Sequence, residues 1–348
     1  MSKGSKIRLL IVDDSAVVRQ VLTEIFSKTD DIEVVGTAMD PLIARDKIKL
    51  LKPDVLTLDI EMPRMDGITF LANLMRLRPI PVVMVSTLTE KGAEATFKAL
   101  ELGAVDFVAK PKVNVKTGLS KYADDICEKV RAASKARVRD VSIAGNVAKK
   151  SEKNPTVRIN NKQIISIGSS TGGTEAIKEL LGGLPVNSPP IIITQHIPKS
   201  FSHAFAKRLD TMFDLTVVEA ESGMPLKSGY VYIAPGDKHL LVVEKNGGLS
   251  CMLNDGPAVN RHKPSVDVMF NSLLECSPKD VHAIMLTGMG NDGAEGMLNL
   301  LKAGATTTAQ DEASSVVWGM PGSAVKLSAA QTVLPLKKMS EHLIAQYE

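Results

Sequence analysis

The stretch Ile164–Gly173, IISIGSSTGG, decides the fold of the second half of the chain. It begins as a short apolar run, typical of a buried strand, and leads directly into a turn of hydroxyl-bearing residues and glycines. Apolar residues then recur at helical spacing, at Ala176, Ile177, Leu180 and Leu181. A strand, a tight turn and a helix in this order predict an open α/β sheet, in which sites lie at the carboxyl ends of the strands.

Length and composition predict an ordinary globular protein. At about 150 residues per domain, 348 residues suggest two domains, and 44% hydrophobic with 23% charged residues is a usual mix. The net charge of +3 is too small to indicate nucleic-acid binding. The three cysteines lack metal-binding spacing, and no apolar run is long enough for a signal peptide or a membrane span. We therefore expect a cytoplasmic protein with no nucleic-acid partner and no membrane insertion.

In the first half, five apolar runs alternate with helical patterns. This alternation predicts a doubly wound parallel sheet with helices on both faces. The predicted strands are Ile7–Val12, Glu33–Ala38, Val55–Leu58, Pro81–Val85 and Asp106–Ala109.

Polar residues follow the ends of these strands, namely Asp13, Asp14, Asp59, Ser86 and Lys110. The carboxyl ends of parallel strands meet at one edge of a sheet, so we expect these side chains to lie close together. Three neighbouring carboxylates repel one another unless a cation intervenes, and oxygen ligands of this kind suit Mg²⁺. One aspartate could then accept a phosphoryl group, with Lys110 and Ser86 holding its oxygens. Any one of these residues alone is typical of a solvated loop, but together they favour a phosphorylation site.

This half resembles the receiver domain of two-component response regulators over its whole length. The resemblance is carried by Val12–Ser15 (VDDS), Leu58–Pro63 (LDIEMP), Met65–Gly67 (MDG), Ser86 and Lys110-Pro111. It implies a flavodoxin-like fold, Asp59 as phosphoacceptor, and Mg²⁺ held by Asp13, Asp14 and Asp59. It also implies a switch made of Ser86, Phe107 and Lys110, and a histidine kinase as phosphodonor.

The segment between the two halves differs from both of them in composition. Helical periodicity ends near Ala136, and residues 137–161 are rich in Lys, Arg, Asn and Ser. Such a segment predicts a solvated linker, although its positive charge could also bind an acidic partner. The predicted domains are therefore residues 1–136, a linker over 137–161, and a second domain over 162–348.

The second half predicts a Rossmann-like, doubly wound and mostly parallel sheet. Beyond the opening stretch, its apolar strands are Ile191–Thr194, Leu215–Ala220, Ala283–Leu286 and Thr306–Ala309. Three further short runs, separated by Pro-Gly and Asn-Gly-Gly turns, predict a local antiparallel excursion. These are Tyr230–Ala234, Leu240–Glu244 and Leu249–Leu253.

Topology ranks the candidate catalytic residues of this half. Ser169 and Ser170 both lie in the turn after the first strand, and spacing does not choose between them. Among the six histidines, His196 follows the next strand along the chain, and the loop residue His262 is the second candidate base. Asp292 lies in a glycine-rich turn after a strand, where capping of the following helix is a serious alternative role.

A serine, a histidine and an aspartate at one sheet edge can form a catalytic triad. Backbone N–H groups near Thr171 and Met289 could hold the oxyanion of the reaction. The chain order and the missing G-x-S-x-G motif argue against a standard α/β-hydrolase. A nucleotide site is the rival hypothesis, but the spacing Gly168-x-x-x-Gly172-Gly173 differs from G-x-G-x-x-G and no P-loop motif is present.

The second half resembles the CheB family of chemotaxis methylesterases. The resemblance rests on Ile167–Thr174 (IGSSTGGT), Gln195–Pro198 (QHIP), Arg261–Asp267 (RHKPSVD) and Leu286–Gly293 (LTGMGNDG). It implies Ser170 rather than Ser169 as nucleophile, with His196 and Asp292 as its partners, and no cofactor in this domain. It further implies phosphorylation-activated demethylation of glutamate methyl esters on methyl-accepting chemotaxis receptors, with deamidation of glutamines. A response regulator with a non-catalytic, partner-binding output domain and a dedicated glutamine deamidase remain open alternatives.

Overall fold

The computed structural model of the chain describes residues 5–87, 89–110, 119–137, 163–245 and 247–347. The chain divides into two compact units, and the division falls inside the segment 138–162. The predicted linker, residues 137–161, lies outside the described residues except for Arg137. Its boundaries therefore stay a prediction.

The first unit is a five-stranded parallel sheet in the order β2-β1-β3-β4-β5. This order confirms the predicted flavodoxin-like fold. Its strands are β1 Ile7–Val12, β2 Ile32–Ala38, β3 Val55–Asp59, β4 Val82–Ser86 and β5 Asp106–Ala109. Its helices are α1 Ala16–Ser27, α2 Pro41–Leu51, α3 Gly67–Leu77, α4 Glu90–Glu101 and α5 Leu119–Lys135.

Side-chain caps begin the first four helices of this unit. In each case a hydroxyl or carboxylate accepts the N–H three residues further on, which satisfies one of the unpaired donors of the first turn. The caps are Ser15 for α1, Asp40 for α2, Asp66 for α3 and Thr89 for α4. These caps define where the loops at the carboxyl edge of the sheet end.

The second unit contains a seven-stranded parallel sheet in the order β14-β13-β12-β6-β7-β9-β8. Its strands are β6 Ile164–Ser169, β7 Ile191–Gln195, β8 Thr216–Glu219, β9 Tyr230–Ile233, β10 His239–Lys245, β11 Gly248–Asn254, β12 Val281–Met285, β13 Thr306–Gln310 and β14 Thr332–Leu334. Its helices are α6 Gly173–Gly182, α7 Lys199–Met212, α8 Val266–Ser272, α9 Ala294–Lys302, α10 Met320–Lys326 and α11 Leu336–Tyr347. Strands β10 and β11 form a separate antiparallel pair.

The sequence predicted three local antiparallel strands. The prediction is confirmed for β10 and β11 and is wrong for β9. Strand β9 lies in the main sheet, parallel to both β7 and β8, with Val231 opposite Ile191. Its residues Val231, Tyr232 and Ile233 are buried, so the main sheet gains a mostly buried strand there. The flanking turn residues show where a strand ends but not which strand it pairs with. Helix α10 and the short edge strand β14 also carry no clear signal in the sequence.

The core of the second unit lies on the central strands β6, β7 and β12, in which every residue is buried. Both faces of a parallel sheet are covered by helices, which is why these strands are nearly continuous apolar runs. Ser166 is a buried polar residue inside β6, whereas the candidate site residues Ser170, His196 and Asp292 lie in the loops that follow the carboxyl ends of the strands. Within the described residues, no helix combines the length and apolar composition needed to cross a bilayer.

Candidate active site

The register between β6 and β7 brings Ser170 and His196 side by side. Ser169 and Gln195, the last residues of the two strands, are direct partners across the sheet. The N–H of His196 donates to the carbonyl of Ser169 at 3.1 Å. Because the strands are parallel, the next residues, Ser170 and His196, leave the sheet at the same edge. The structure thus brings together the predicted nucleophile and the predicted base.

Ser169 and Ser170 have different environments. Ser169 is fully buried, and its hydroxyl donates to Oε1 of Gln195 at 2.6 Å. Ser170 follows the strand and is partly exposed, while its N–H donates to the carbonyl of Thr287 at 3.0 Å. The geometry therefore favours Ser170 as nucleophile, a choice that spacing could not make.

Gln195 holds the backbone around both residues. Its Nε2 donates to the carbonyl of Ser170 at 2.9 Å and to that of His196 at 3.2 Å. A Cβ atom at Gly173 would clash with Gln195 Oε1, so only glycine fits there. This buried amide ties the serine turn to the residue that follows β7.

His196 is hydrogen-bonded to Asp292. The distance between His196 Nε2 and Asp292 Oδ2 is 2.9 Å, and the two side chains are only 8% and 1% exposed. The other ring nitrogen, Nδ1, is buried and has no hydrogen-bond partner among the described residues. With Nε2 protonated toward Asp292, Nδ1 carries the lone pair that a general base needs.

Asp292 accepts several other hydrogen bonds. Its Oδ1 accepts hydrogen bonds from Asn260 Nδ2 at 2.8 Å and from Ser265 Oγ at 2.7 Å. Its Oδ2 accepts one from the N–H of Val266 at 2.6 Å. Burial opposes the charged form, but the hydrogen bonds from His196, Asn260 and Ser265 outweigh it and lower the pKa of Asp292. The alternative role as a helix cap does not apply, because Gly293 is the N-cap of α9 and no side chain caps it.

The second glycine-rich turn packs against the serine turn. A Cβ atom at Gly288 would lie 2.8 Å from Ser170 Cβ and 2.9 Å from Ser170 N, so the close approach requires glycine. The hydroxyl of Thr287 donates to the carbonyl of Thr171 at 3.0 Å. Met289 follows Gly288 directly and is partly exposed. The turns that carry Thr171 and Met289 thus lie next to each other, as an oxyanion site between them requires.

The structure places four of the other histidines in different environments. The ring of His262 stacks on that of His196, with centroids 3.8 Å apart and planes 9° from parallel. His282 is buried at the amino end of β12 and bonds Thr308 Oγ1 at 2.8 Å, away from the carboxyl edge. His203 is exposed on α7 beside Glu219, and His239 accepts the N–H of Ser265 at 3.1 Å.

The predicted phosphorylation site is assembled in the first unit. Carboxylate oxygens of Asp13, Asp14 and Asp59 all lie within 4.8 Å of one another. Lys110 Nζ is 2.7 Å from Asp59 Oδ2 and 3.8 Å from Asp13 Oδ2. Burial, opposed by Lys110 and reinforced by the charge of Asp13, raises the pKa of Asp59 to about 6. Burial likewise raises the pKa of Asp13.

This cluster fits a divalent cation. Asp13 Oδ2 is buried and has no hydrogen-bond partner among the described residues, although the ammonium of Lys110 lies nearby. Asp14 is exposed, which leaves one side of the cluster open to water. Buried, mutually repelling carboxylates with an orphaned oxygen are the donor set that Mg²⁺ prefers.

Two of the three predicted switch residues, Ser86 and Phe107, make their described contacts with residues other than the carboxylates. Ser86 Oγ donates to the carbonyl of Gly92 at 3.2 Å, and no hydrogen bond joins it to Asp59 among the described contacts. Phe107 is 3% exposed and packs edge-on against Phe97, with ring centroids 6.4 Å apart. Lys110 is therefore the switch residue that the structure brings directly to Asp59.

Comparisons with known proteins account for both units. The family model described as CheB methylesterase matches residues 165–343, and the response regulator receiver domain matches residues 9–117. The chain belongs to the CheB methylesterase family. It is 53% identical to a protein of Hydrogenovibrio crunogenus named protein-glutamate methylesterase/protein-glutamine glutaminase, covering 98% of this chain and 99% of that protein. A Xanthomonas campestris protein with the same name, numbered 1, is 52% identical over 99% and 98% of the two chains.

A solved structure supports the fold of the second unit of this CheB-family chain. The catalytic domain of Thermotoga maritima CheB methylesterase is 40% identical, with a TM-score of 0.52. The match covers 53% of this chain and 98% of that one. The family and the two α/β folds expected from the sequence are thereby confirmed.

Several residues of the CheB-family site were not identified from the sequence. Gln195, Asn260 and Ser265 all contact a predicted triad residue, and two of them donate to Asp292. Their only signal was position, because each lies within or beside the QHIP and RHKPSVD motifs. Amides and hydroxyls have many ordinary structural uses, so residue type alone does not distinguish them.

Proposed function

We propose that this chain is a phosphorylation-activated hydrolase that removes methyl groups from glutamate methyl esters on methyl-accepting chemotaxis receptors. The observation that carries the proposal is the 2.9 Å hydrogen bond between His196 Nε2 and Asp292 Oδ2 beside the Ser170 turn. The substrate class follows from the names of the relatives, which are protein-glutamate methylesterase/protein-glutamine glutaminase. We further propose a cytoplasmic location, a receiver domain over residues 1–136 and a catalytic domain over residues 162–348.

His196 acts as the base in this mechanism. Its Nδ1 takes the hydroxyl proton of Ser170 as Oγ attacks the ester carbonyl. Asp292, held ionised by its hydrogen bonds, keeps Nε2 protonated and stabilises the imidazolium. No hydrogen bond joins Ser170 Oγ to His196 Nδ1 among the described contacts. Such contacts commonly tighten only when substrate binds.

The tetrahedral intermediate then collapses. Backbone N–H groups in the turns carrying Thr171 and Met289 hold the oxyanion. The imidazolium returns its proton to the leaving oxygen, and methanol departs. Water, deprotonated by the same His196, hydrolyses the acyl-serine and releases glutamate and free Ser170.

Glutamine deamidation follows from the same geometry. An amide passes through the same tetrahedral intermediate, and His196 protonates nitrogen instead of oxygen, so that ammonia leaves. The glutaminase part of the relatives' name supports this second activity. The catalytic residues need no cofactor for either reaction.

In this proposal, the first unit regulates the hydrolase. Asp59 accepts a phosphoryl group from a chemotaxis histidine kinase, and Lys110 pairs with the phosphoryl oxygens. Asp13, Asp14 and Asp59 would hold Mg²⁺, which neutralises charge at the site. Ser86 and Phe107 then change contacts, and activation requires that phosphorylation favour one of two states of the chain.

The test is methanol release from methylated receptor membranes by the full chain. Wild type is compared with Ser170→Ala and Asp59→Asn, each with and without acetyl phosphate and Mg²⁺. We expect acetyl phosphate to raise the wild-type rate, Asp59→Asn to keep only the basal rate, and Ser170→Ala to release none.

The same assay separates the alternatives. A partner-binding output domain predicts no methanol from wild type, and receptor binding that survives Ser170→Ala. A dedicated deamidase predicts ammonia release from receptor glutamines without methanol release. Either result would contradict the proposed esterase.

A further inference from the structure

A tight turn, Val259–His262, lies against the base and its carboxylate. The N–H of Val259 donates to the carbonyl of His262 at 3.0 Å, and the reverse bond is 2.9 Å. The two central residues, Asn260 and Arg261, have φ angles of 51° and 69°. Two left-handed central residues define a type I′ turn, and arginine adopts this conformation only where the surrounding structure imposes it.

Asn260 bridges two buried carboxylates from this turn. Its Nδ2 donates to Asp292 Oδ1 at 2.8 Å and to Asp267 Oδ2 at 2.6 Å. Asp267 also accepts the N–H of Gly296 at 2.6 Å, which connects the bridge to helix α9. Burial, with a contribution from the charge of Asp292, raises the pKa of Asp267. The amide therefore restrains the Asp292 carboxylate relative to a fixed helix.

His262 covers one face of the His196 ring. The centroid distance of 3.8 Å and the 9° angle leave little offset between the rings. Aromatic pairs prefer larger offsets, with centroids about 4.5–7 Å apart. The two backbone hydrogen bonds of the tight turn fix the backbone of His262, from which its ring packs on His196.

A restraint on the ring plane has a specific use here. The hydrogen bond from His196 Nε2 to Asp292 fixes one ring atom, but that atom lies close to the Cβ–Cγ axis about which the ring turns, so the bond alone resists this rotation only weakly. Such rotation swings Nδ1 away from the hydroxyl that it must deprotonate. A flat side chain packed against the ring removes this freedom.

We propose that the Val259–His262 turn is a positioning element, in which His262 sets the plane of the His196 ring and Asn260 sets the Asp292 carboxylate. The inference rests on the proposed function of Ser170, His196 and Asp292. Neither His262 nor Asn260 takes part in bond making. Both act through the pair that they touch.

The test compares kcat and KM for methanol release by the full chain on methylated receptor membranes. His262→Leu removes the flat face, whereas His262→Phe keeps it without a ring nitrogen. Asn260→Gly removes the amide and tolerates the left-handed backbone. His203→Ala, an exposed histidine of the same unit, is the matched control.

We expect His262→Leu to lower kcat roughly three- to tenfold with little change in KM, which is the size of a lost ring contact. His262→Phe should recover the wild-type kcat to within about twofold. Asn260→Gly should lower kcat by about tenfold, as expected for a lost hydrogen bond to a charged group. The His203→Ala control should match wild type.

Three results would overturn the inference: unchanged kcat in both turn variants, a change confined to KM, or His262→Phe as slow as His262→Leu. If His262→Leu does not fold, as judged by thermal unfolding, Asn260→Gly decides alone, and an unchanged kcat rejects the inference. Failure of the proposed function is visible separately, as no methanol from wild type or full activity in Ser170→Ala. In that case the inference falls with it.

Discussion

The Ser169 hydroxyl donates a hydrogen bond to Gln195 Oε1 on the neighbouring strand, at 2.6 Å. The same glutamine donates to the carbonyl of Ser170. The first serine is thus part of the scaffold that holds the second. The two adjacent serines therefore have different environments, because Ser169 is the last residue of β6 and Ser170 is the first residue of the turn that follows it.

Substitution of the two serines should separate these tasks. Ser170→Ala should abolish methanol release. Ser169→Ala should retain at least a tenth of the wild-type rate but lower the free energy of unfolding by about 1–2 kcal/mol, because Gln195 Oε1 loses its donor. Methanol release and urea unfolding measure the two effects. Loss of all activity in a folded Ser169→Ala protein would contradict the assignment.

Removing the charge of Asp292 should impair His196 as a base, although the histidine itself is unchanged. In Asp292→Asn the partner of His196 Nε2 becomes an amide, which favours the wrong tautomer and cannot stabilise the imidazolium. We expect kcat to fall by about 10³–10⁴-fold. Asp255→Asn, an exposed acid paired with Lys263, is the control and should leave kcat unchanged. A loss below tenfold for Asp292→Asn would mean that the pair is structural.

The contact between the two glycine-rich turns should be sensitive to one methyl group. In Gly288→Ala the new Cβ would clash with Met320 Sδ and lie 2.8 Å from Ser170 Cβ and 2.9 Å from Ser170 N, so both Met320 and the serine turn have to move. A displacement near 1 Å at the nucleophile lowers kcat/KM by about 10²-fold. Gly248→Ala adds the same methyl group where no atom lies within 4 Å and should be neutral. Equal rates for both variants would show that the approach is not tight.

Magnesium should stabilise the first unit through its buried carboxylates. We expect Mg²⁺ to raise the thermal midpoint of chelator-treated wild type, with about 2.7 kcal/mol gained at a hundredfold excess over its Kd. Asp13→Asn should raise the metal-free midpoint, since it relieves repulsion with Asp59, and should lose most of the Mg²⁺ effect. The exposed Asp46→Asn should behave like wild type. Equal Mg²⁺ stabilisation of Asp13→Asn would exclude Asp13 as a ligand.

His282 should make the second unit sensitive to acid. Burial, with the nearby His342, lowers the pKa of His282 to about 3, whereas an unfolded histidine titrates near 6.5. Between these values the unfolded chain binds the extra proton, so stability falls as the pH is lowered from about 6.5 toward 3, by about 1.4 kcal/mol per unit. Above pH 6.5 the contribution is complete.

The variant His282→Gln removes this titration. Its stability difference from wild type should become smaller by about 2 kcal/mol between pH 7.5 and pH 5, as measured by urea unfolding. A constant difference between His282→Gln and wild type would show that His282 is protonated in the folded chain.

The sequence alone was sufficient for the fold class and for the clustering of Asp13, Asp59 and Lys110 at one edge of the sheet. Alternating apolar strands and helices require a parallel sheet, and a parallel sheet places every carboxyl end at one edge. Asp13, Asp59 and Lys110 therefore had to meet, and the structure brings the Lys110 ammonium to 3.8 Å from Asp13 Oδ2 and 2.7 Å from Asp59 Oδ2. The family resemblance added the roles of Ser170, His196 and Asp292, which the described contacts support but which await the substitutions above.

Tertiary structure alone decided the finer arrangement. The pairing of β9 with β7 and β8 depends on long-range register, which local turn signals do not contain. The different environments of Ser169 and Ser170 depend on the register that sets Ser169 opposite Gln195. The placement of Asn260 and His262 depends on a left-handed turn that packs against residues far away in the chain. Sequence periodicity determines which residues are buried and where strands end, whereas contacts between distant segments determine the partners of each side chain.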